Sequence, residues 1–490
     1  MIDKPDEYEK RQWFGLLGGI ALFALTLFLP LGIDSPEAHR TLAVTVLMAT
    51  WWITEAIPIP VVSLVPVALF PVLGIMDSSK VTLQYADSIV FLFMAGFLIA
   101  MAMQKWELHR RLALYIIDFV GTGPKKIILG FMISSAFLSM WVSNTATSML
   151  MVTIALAILS YTGKVQEGVQ NSSWEESEFG KTLLLGVAYA CSIGGIGTLI
   201  GTPPNALLAG YMESHFETSI SFLDWLVIGL PIVLILTPLA WLYLTEVAGK
   251  VKGTAIPGGK ELIQQKLAEL GPMNRGEKSV LTVFLITAFL WITRGFIISP
   301  FLPMIGDATV GMLAAVSLFL IPVNKSEGEF ALDWEWALKI PWGTLILFGG
   351  GLALAEGIQT TGLDSWLAGS LTWLGSSPLI VVLSATVLLL VSLTHVTSNT
   401  ATTAMMLPVL ASFATTFGFD FLSIAVPAVI SVSCAFMLPV ATPPNAVVFG
   451  TGYVRVPDMV KKGFGLNVLA IILVIILGYF FLGPLAGIVF

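Results

Sequence analysis

The chain has 490 residues, of which 56% are hydrophobic and only 11% are charged, and its formal net charge is −7. Soluble domains carry about 25% charged residues, so this composition indicates an all-α polytopic membrane protein and gives no support to a nucleic-acid partner. The apolar runs contain no cluster of His, Cys, Asp and Glu, so we expect neither enzyme activity nor a cofactor.

Long apolar runs divide the chain. A helix that crosses a bilayer needs about 20 mostly apolar residues. Eleven runs meet this requirement and are predicted to span the membrane, at roughly 12–33, 41–57, 60–77, 88–104, 181–210, 225–247, 278–300, 305–322, 343–360, 422–450 and 465–489. Two further apolar stretches, 126–161 and 378–416, are each interrupted midway by polar residues. We interpret these two as re-entrant hairpins, which enter and leave the membrane on the same side.

The basic residues predict the sidedness, because cytoplasmic loops collect Lys and Arg. With the N-terminus inside, this threading places 21 of the 24 basic residues in the cytoplasm and the C-terminus outside. Lys125 and Lys126 flank the first hairpin, so it opens to the cytoplasm. The segment before the second hairpin, 361–377, has no Lys or Arg and is predicted to be external. We therefore expect a multi-pass protein of the plasma membrane with a cytoplasmic N-terminus.

The two hairpins belong to halves of the chain that match each other. At an offset of 255 residues Phe93 matches Phe348 and Gly96 matches Gly351, and a polar insert, 166–180, lengthens the first half. Because the hairpins open to opposite faces, the halves are predicted to be inverted repeats. The predicted parts are N-terminal scaffold helices at 1–87, a first repeat at 88–247 with hairpin 126–161 and broken helix 181–210, a cytoplasmic amphipathic linker at 248–277, scaffold helices at 278–342, and a second repeat at 343–490 with hairpin 378–416 and broken helix 422–450.

Two short polar strings occur in both halves. SNTAT at 143–147 recurs at 398–402, and TPPNA at 202–206 recurs at 442–446. Ser, Asn and Thr side chains compete for backbone hydrogen bonds, and proline removes a backbone donor, so each string is predicted to interrupt a helix. A single polar triplet in a membrane helix often serves only to join helices. Two inverted copies with paired proline strings favour a binding site instead.

The four interruptions are predicted to meet near the middle of the membrane. Such breaks offer backbone carbonyls to a hard cation and helix N-termini to an anion. Arg294 lies near the outer end of its span and is interpreted as reaching the interface; beyond the first residue of each predicted span, no other basic residue lies inside one. A buried dianion would lack a counter-charge there. Co-bound sodium ions are expected to supply that charge and so to couple the two fluxes.

The paired strings, together with WWITEAIP at 51–58, resemble the signature of the divalent anion/sodium symporter family, and the resemblance covers essentially the whole chain. It implies a bacterial dicarboxylate transporter that forms a homodimer and moves a transport domain like an elevator. It also implies two sodium sites, formed by Ser139, Ser143, Asn144 and the backbone near Gly201, and by Thr394, Thr397, Asn399 and the backbone near Ala441. For the substrate it implies contacts with Asn144, Thr145, Asn399, Thr400, Thr202, Pro203, Thr442 and Pro443.

The resulting hypothesis is a secondary transporter that imports C4-dicarboxylates such as succinate, malate or fumarate with sodium. A sodium-independent exchanger of the same fold, for example of 2-oxoglutarate against succinate, is the closest alternative, and a citrate or sulfate carrier is another. His395 stands beside Thr394, where many sodium-coupled relatives are expected to carry an acidic residue. A titratable group at that position would permit altered coupling or exchange. An ion antiporter is disfavoured, because neither hairpin tip carries a carboxylate.

Overall fold

A computed structural model describes residues 10–33, 35–121, 123–165, 178–251, 259–369, 375 and 377–482. Most of the predicted polar insert, seven residues of the linker and the two chain ends therefore lie outside the described residues. Within the described part, six helices are long and apolar enough to cross a bilayer, and five shorter apolar helices accompany them. Several apolar helices of this kind indicate an integral membrane protein.

The first half of the described chain is helical, and its breaks occur at prolines, glycines and polar strings. Its helices are α1 (Lys10–Phe28), α2 (Pro36–Thr54), α3 (Ile59–Val62), α4 (Val65–Val72), α5 (Ser78–Leu83), α6 (Ser88–Lys105), α7 (Leu108–Val120), α8 (Pro124–Ser139), α9 (Asn144–Val165), α10 (Glu178–Gly195), α11 (Pro203–Phe216) and α12 (Phe222–Leu242). A 3-10 turn, Gln84–Ala86, precedes α6, and a π-helical turn, Tyr243–Ala248, extends α12.

The second half contains the remaining helices and one short hairpin of strands. These elements are α13 (Gly259–Leu270), α14 (Arg275–Ile297), α15 (Asp307–Leu320), β1 (Pro322–Asn324), β2 (Glu329–Phe330), α16 (Trp334–Ala337), α17 (Trp342–Thr360), α18 (Leu363–Gly369), α19 (Leu379–Thr394), α20 (Asn399–Phe417), α21 (Phe421–Val432), α22 (Pro443–Gly450) and α23 (Val456–Leu477). A 3-10 turn, Pro439–Ala441, precedes α22, and a π-helical turn, Gly478–Leu482, extends α23.

The antiparallel pair of β1 and β2 corrects the all-helical prediction. Its turn is polar, and Gly328 adopts a positive φ of 65° that favours glycine. Lys105 anchors the turn region to α6 through ion pairs with Asp333 at 2.9 Å and Glu329 at 3.9 Å. Polar residues between two apolar helices therefore form a local hairpin, which hydropathy alone does not reveal.

The last helix corrects one predicted span. The apolar window begins at 465, whereas α23 begins at Val456, so Lys462 belongs to the helix and not to a loop. Its ammonium is buried and donates to Glu178 at 2.7 Å and Thr182 at 3.3 Å, both on α10. A lysine near a helix end can remain in apolar surroundings when its charged group is paired. A window of apolar residues cannot detect such a pair.

Close helix packing accounts for the glycine triplet at 349–351. A side chain on Gly349 would meet Tyr85 at 2.2 Å, and one on Gly350 would meet the Ser63 carbonyl oxygen at 2.3 Å. The matched residues Phe93 on α6 and Phe348 on α17 pack edge to face, with ring centroids 4.8 Å apart. Small residues let membrane helices approach closely. The triplet is thus a packing feature of α17.

The described part of the linker forms α13, which packs against α7 and α9. Leu262 and Ile263 are buried on that side. Arg111 of α7 forms a bidentate ion pair with Glu277 of α14, with Nε to Oε1 at 2.6 Å and Nη2 to Oε2 at 3.1 Å. The same guanidinium donates to the Gly271 carbonyl at 2.8 Å, just past the end of α13. One buried arginine thus joins three helices.

Candidate functional site

The SNTAT strings interrupt two helical hairpins at equivalent points. Helix α8 ends at Ser139 and α9 begins at Asn144, while α19 ends at Thr394 and α20 begins at Asn399. Each break therefore has the same length and places one asparagine at the first position of the returning helix. Because both asparagines open a helix, each lies beside backbone N–H groups that have no partner within that helix.

The TPPNA strings end the two other interruptions. Helix α10 stops at Gly195 and α11 begins at Pro203, whereas α21 stops at Val432 and α22 begins at Pro443. Thr202 and Thr442 are extended, with φ of −147° and −144°, as expected of residues that precede proline. Proline then occupies the first helical position, where its missing donor costs nothing. The local conformation therefore follows directly from the string.

A hydroxyl group contacts each hairpin asparagine. Ser139 Oγ donates to Asn144 Oδ1, and Thr394 Oγ1 donates to Asn399 Oδ1. Thr394 Oγ1 also lies 3.1 Å from the Val432 carbonyl oxygen at the end of α21. Ser139 and Thr394 are fully buried, and the asparagines are half-buried. Each repeat thus collects neutral oxygen atoms at the junction of its hairpin and its broken helix.

Gly195 brings the backbone near Gly201 to the first of these clusters. A Cβ atom added to Gly195 would lie 2.9 Å from Asn144 Oδ1 and 3.1 Å from the Gly201 carbonyl oxygen. Ser139, Asn144 and the Gly201 carbonyl therefore lie close together. In the second repeat Thr394 and Asn399 are joined, and Ala441 is buried in the 3-10 turn before α22.

Two of the implied sodium ligands have other hydrogen bonds. Ser143 Oγ accepts the Ala146 N–H at 3.3 Å, which is the role of a helix cap. Thr397 Oγ1 lies 2.6 Å from Thr402 Oγ1 and donates to the Leu393 carbonyl at 2.8 Å. These hydroxyls stabilise the hairpin tips in the described conformation. Their place as cation ligands stays a prediction.

The implied substrate residues differ in exposure between the repeats. Thr145 and Pro203 are half-buried, whereas Thr400 is buried and Pro443 is exposed. The Thr442 hydroxyl accepts the Asn445 N–H at 3.4 Å and caps α22. No side-chain cap of this kind forms at Thr202. The two TPPNA strings therefore have the same backbone conformation. They differ in their side-chain contacts, since only the side chain of Thr442 binds the asparagine of its own string.

The chemistry of these clusters suits a hard monovalent cation. Hydroxyl, amide and backbone carbonyl oxygens are hard ligands, and no carboxylate belongs to the predicted set. In the part of the chain that the structure describes, no group of three or more His, Cys, Asp or Glu side chains is placed to hold a metal ion. Arg294 pairs with Asp307 at 2.5 Å and contacts Ser299 at 3.3 Å, so its charge is already compensated by a carboxylate.

His395 caps the end of α19 and contacts the last turn of that helix. Its Nδ1 lies 2.5 Å from the Val391 carbonyl, and its ring is buried. Nε2 has no hydrogen-bond partner among the described residues. The Nδ1 contact is that of a structural histidine, because a ring N–H donates to a carbonyl four residues earlier.

We expect His395→Gln to retain sodium-dependent uptake, because glutamine can still donate to the Val391 carbonyl. The measurement is the initial uptake rate in proteoliposomes from pH 6 to pH 8. A rate that stays pH-dependent in the wild type and becomes flat in the variant would instead assign proton coupling to His395.

Gly195→Ala is expected to weaken the first sodium site. The added methyl group would lie within 3.1 Å of Asn144 and of the Gly201 carbonyl, and overpacking costs about 1–3 kcal/mol. The sodium concentration for half-maximal uptake should therefore rise by at least about five-fold. Gly295→Ala is the matched control, since a side chain there meets no atom within 4 Å. Equal sodium dependence in both variants would refute the proximity argument.

Sequence reasoning did not identify three side chains that hold the broken helices. Trp225 Nε1 donates to the Ile196 carbonyl at 2.9 Å. Asn467 Nδ2 donates to the Cys434 carbonyl at 2.6 Å. Thr198 Oγ1 donates to the Met140 carbonyl at 2.5 Å and so links the loop after α10 to the first hairpin tip. No local pattern marks these residues, because their partners lie at least 29 residues away.

Comparisons with known proteins match nearly the whole chain. The family model described as the sodium:sulfate symporter transmembrane region matches residues 10–488. The sodium-dependent dicarboxylate transporter SdcS of Staphylococcus saprophyticus is 46% identical over 487 residues, which cover 98% of this chain and 93% of that protein. The protein of the same name from Staphylococcus aureus is 44% identical over 490 residues, covering 99% of this chain and 94% of its own length.

Solved structures show the same fold at low sequence identity. The YdaH transporter of Alcanivorax borkumensis has a TM-score of 0.54 at 13% identity and covers 98% of this chain and 97% of its own. MtrF of Neisseria gonorrhoeae, described as one of a class of antimetabolite efflux pumps, has a TM-score of 0.58 at 12% identity, with 97% and 96% covered. The match of the family model over nearly the whole length shows that the chain belongs to the sodium:sulfate symporter family, the divalent anion/sodium symporters that its paired strings indicate.

Proposed function

We propose that this protein is a secondary transporter that imports C4-dicarboxylates such as succinate, malate or fumarate together with sodium ions. The observation that carries the proposal is the paired hydroxyl-to-amide contact, from Ser139 to Asn144 and from Thr394 to Asn399, at equivalent points of two repeats. The names of the relatives, which are 44% and 46% identical, support the same substrate class and the same ion.

Charge balance explains why sodium and a dianion travel together in this proposal. The substrate residues Asn144, Thr145, Asn399 and Thr400 are neutral, and a dianion among them is stabilised only if cations accompany it. The same asparagines contribute an amide oxygen to the cation and an amide N–H to the substrate carboxylate. Each ion therefore improves the site for the other, and this mutual dependence is the physical basis of coupled transport.

We further propose the topology predicted from the basic residues: eleven crossings, two re-entrant hairpins in inverted repeats, a cytoplasmic N-terminus and an external C-terminus in the plasma membrane. The hairpin breaks of equal length at 140–143 and 395–398 support the repeat relation. Elevator-type movement and a homodimer complete the proposal by family resemblance. Single-cysteine labelling of Ser326 and Ser377 in intact cells would place these two loops on opposite faces.

Purified protein in proteoliposomes tests the function. We expect labelled succinate to accumulate only when sodium is higher outside than inside, and unlabelled malate and fumarate to compete with it. Uptake that persists without sodium but requires internal dicarboxylate would establish the exchanger instead. A thermal-shift panel of dicarboxylates, citrate and sulfate, each with and without sodium, would identify a citrate or sulfate carrier by the ligand that stabilises the protein most.

A further inference from the structure

The asparagine of each TPPNA string makes the same two hydrogen bonds. Asn205 Nδ2 donates to the Gly195 carbonyl at 3.0 Å and to the Thr198 carbonyl at 2.8 Å. Asn445 Nδ2 donates to the Ala435 carbonyl at 3.1 Å and to the Leu438 carbonyl at 3.0 Å. In both repeats the acceptors are ten and seven residues before the asparagine. One carboxamide therefore closes the loop that separates the two halves of the broken helix.

The orientation of these carboxamides follows from their surroundings. Asn205 and Asn445 are fully buried, and each Oδ1 lacks a hydrogen-bond partner among the described residues. The reverse orientation would place Oδ1 against two carbonyl oxygens and leave both N–H groups unused. An unpaired buried acceptor costs free energy of folding. Both asparagines leave Oδ1 unpaired and use Nδ2 to bind two backbone carbonyls. The contacts therefore support a role for each asparagine in holding those two carbonyls in place.

The loops held in this way carry the backbone of the predicted cation sites. Asn205 holds the carbonyl of Gly195, a residue that leaves no room for a side chain beside Asn144 and the Gly201 carbonyl. It also fixes Thr198, whose hydroxyl donates to Met140 in the first hairpin tip. The carboxamide thus holds the segment 195–198, which lies beside the hairpin asparagine and the carbonyl at 201. Asn445 closes the loop that ends at Ala441 in the same manner.

We propose that Asn205 and Asn445 are positioning residues, which do not themselves bind the ion but hold the backbone carbonyls near Gly201 and Ala441 at cation-binding distance. This inference rests on the proposed function, because it assumes sodium at both junctions. Groups that orient metal ligands through hydrogen bonds change metal affinity by about 10–100-fold when they are replaced. The repeated asparagine of the TPPNA string is therefore part of ion selection and not only of folding.

Asn205→Asp and Asn445→Asp test the proposal, because aspartate keeps the shape and loses the two donors. Purified protein in detergent is titrated with sodium chloride against choline chloride at constant ionic strength, and the unfolding temperature is recorded without substrate. We expect the sodium concentration for half-maximal stabilisation to rise by about 10–100-fold in each variant. Asn205→Ser and Asn445→Ser, which bury no carboxylate, should shift it in the same direction. Asn324→Asp, in the β1 turn, is the matched control with unchanged sodium response.

The outcomes are distinct. A lower unfolding temperature without sodium, combined with an unchanged sodium half-saturation in the Asp and Ser variants, would mean that the asparagines serve folding alone and would overturn the proposal. If sodium does not stabilise even the wild type, the proposed sodium coupling fails and this inference fails with it. A second readout at saturating sodium, the succinate concentration for half-maximal stabilisation, should stay within about three-fold of the wild type, since the variants leave Asn144 and Asn399 in place.

Discussion

Replacing Asn144 or Asn399 with alanine should lower succinate uptake by about 100-fold or more, because a lost hydrogen bond to a charged group costs about 1.5–3 kcal/mol and each asparagine is expected to contact two charged species. Asn144 accepts from Ser139, and Asn399 accepts from Thr394. Alanine would therefore remove the amide oxygen beside the cation and the amide donor beside the substrate in a single step. The measurement is the initial uptake rate in proteoliposomes at equal protein content.

The folded protein should remain in the membrane in both variants. Both asparagines are half-buried at the first turn of a helix, where truncation to alanine leaves no large cavity. A symmetric elution profile in size-exclusion chromatography verifies this, and Asn324→Ala in the exposed strand turn controls for the loss of an asparagine elsewhere. Uptake at the wild-type rate by both site variants would refute the assignment of these residues.

The positions of the four helix breaks were predictable because their signals are local. The double prolines Pro203-Pro204 and Pro443-Pro444 disfavour a continuous helix, since each proline removes a donor and restricts the residue before it. Single prolines are tolerated inside α12, α20 and α21. The Ser-Asn-Thr triplet acts in the same way through its side chains. The breaks therefore lie at the strings. The duplication added a second argument for a binding site. A single polar string in an apolar helix is common, whereas two matched strings in inverted repeats are not.

The contacts that complete the site were not predictable. Asn205 reaches carbonyls that lie before the break, so its partners depend on how the loop folds back on itself. Trp225 and Asn467 come from helices after the broken ones, and nothing in their neighbourhood marks them. Hydropathy also misplaced the start of α23, because Lys462 is apolar along its stem and paired at its tip. Long-range polar contacts of this kind are visible only in three dimensions.

The ion pair between Arg111 and Glu277 was also not predictable from the sequence, because the two residues lie 166 residues apart. Their side chains are only 4% and 3% exposed. Removing one partner of a buried pair leaves an uncompensated charge and typically costs about 3–5 kcal/mol. We therefore expect Arg111→Met and Glu277→Ala each to lower the free energy of unfolding by about that amount. Denaturant titration of the detergent-solubilised protein, followed by tryptophan fluorescence, measures the effect.

Arg110→Met is the matched control for this prediction. Arg110 pairs with Glu107 at 2.9 Å, but the two side chains are 29% and 54% exposed, and exposed pairs contribute about 0–1 kcal/mol. The double variant Arg111→Met with Glu277→Leu should recover most of the lost stability, because it leaves no charge buried without a partner. If Arg111→Met is no more destabilising than Arg110→Met, the guanidinium does not hold α7, α13 and α14 together.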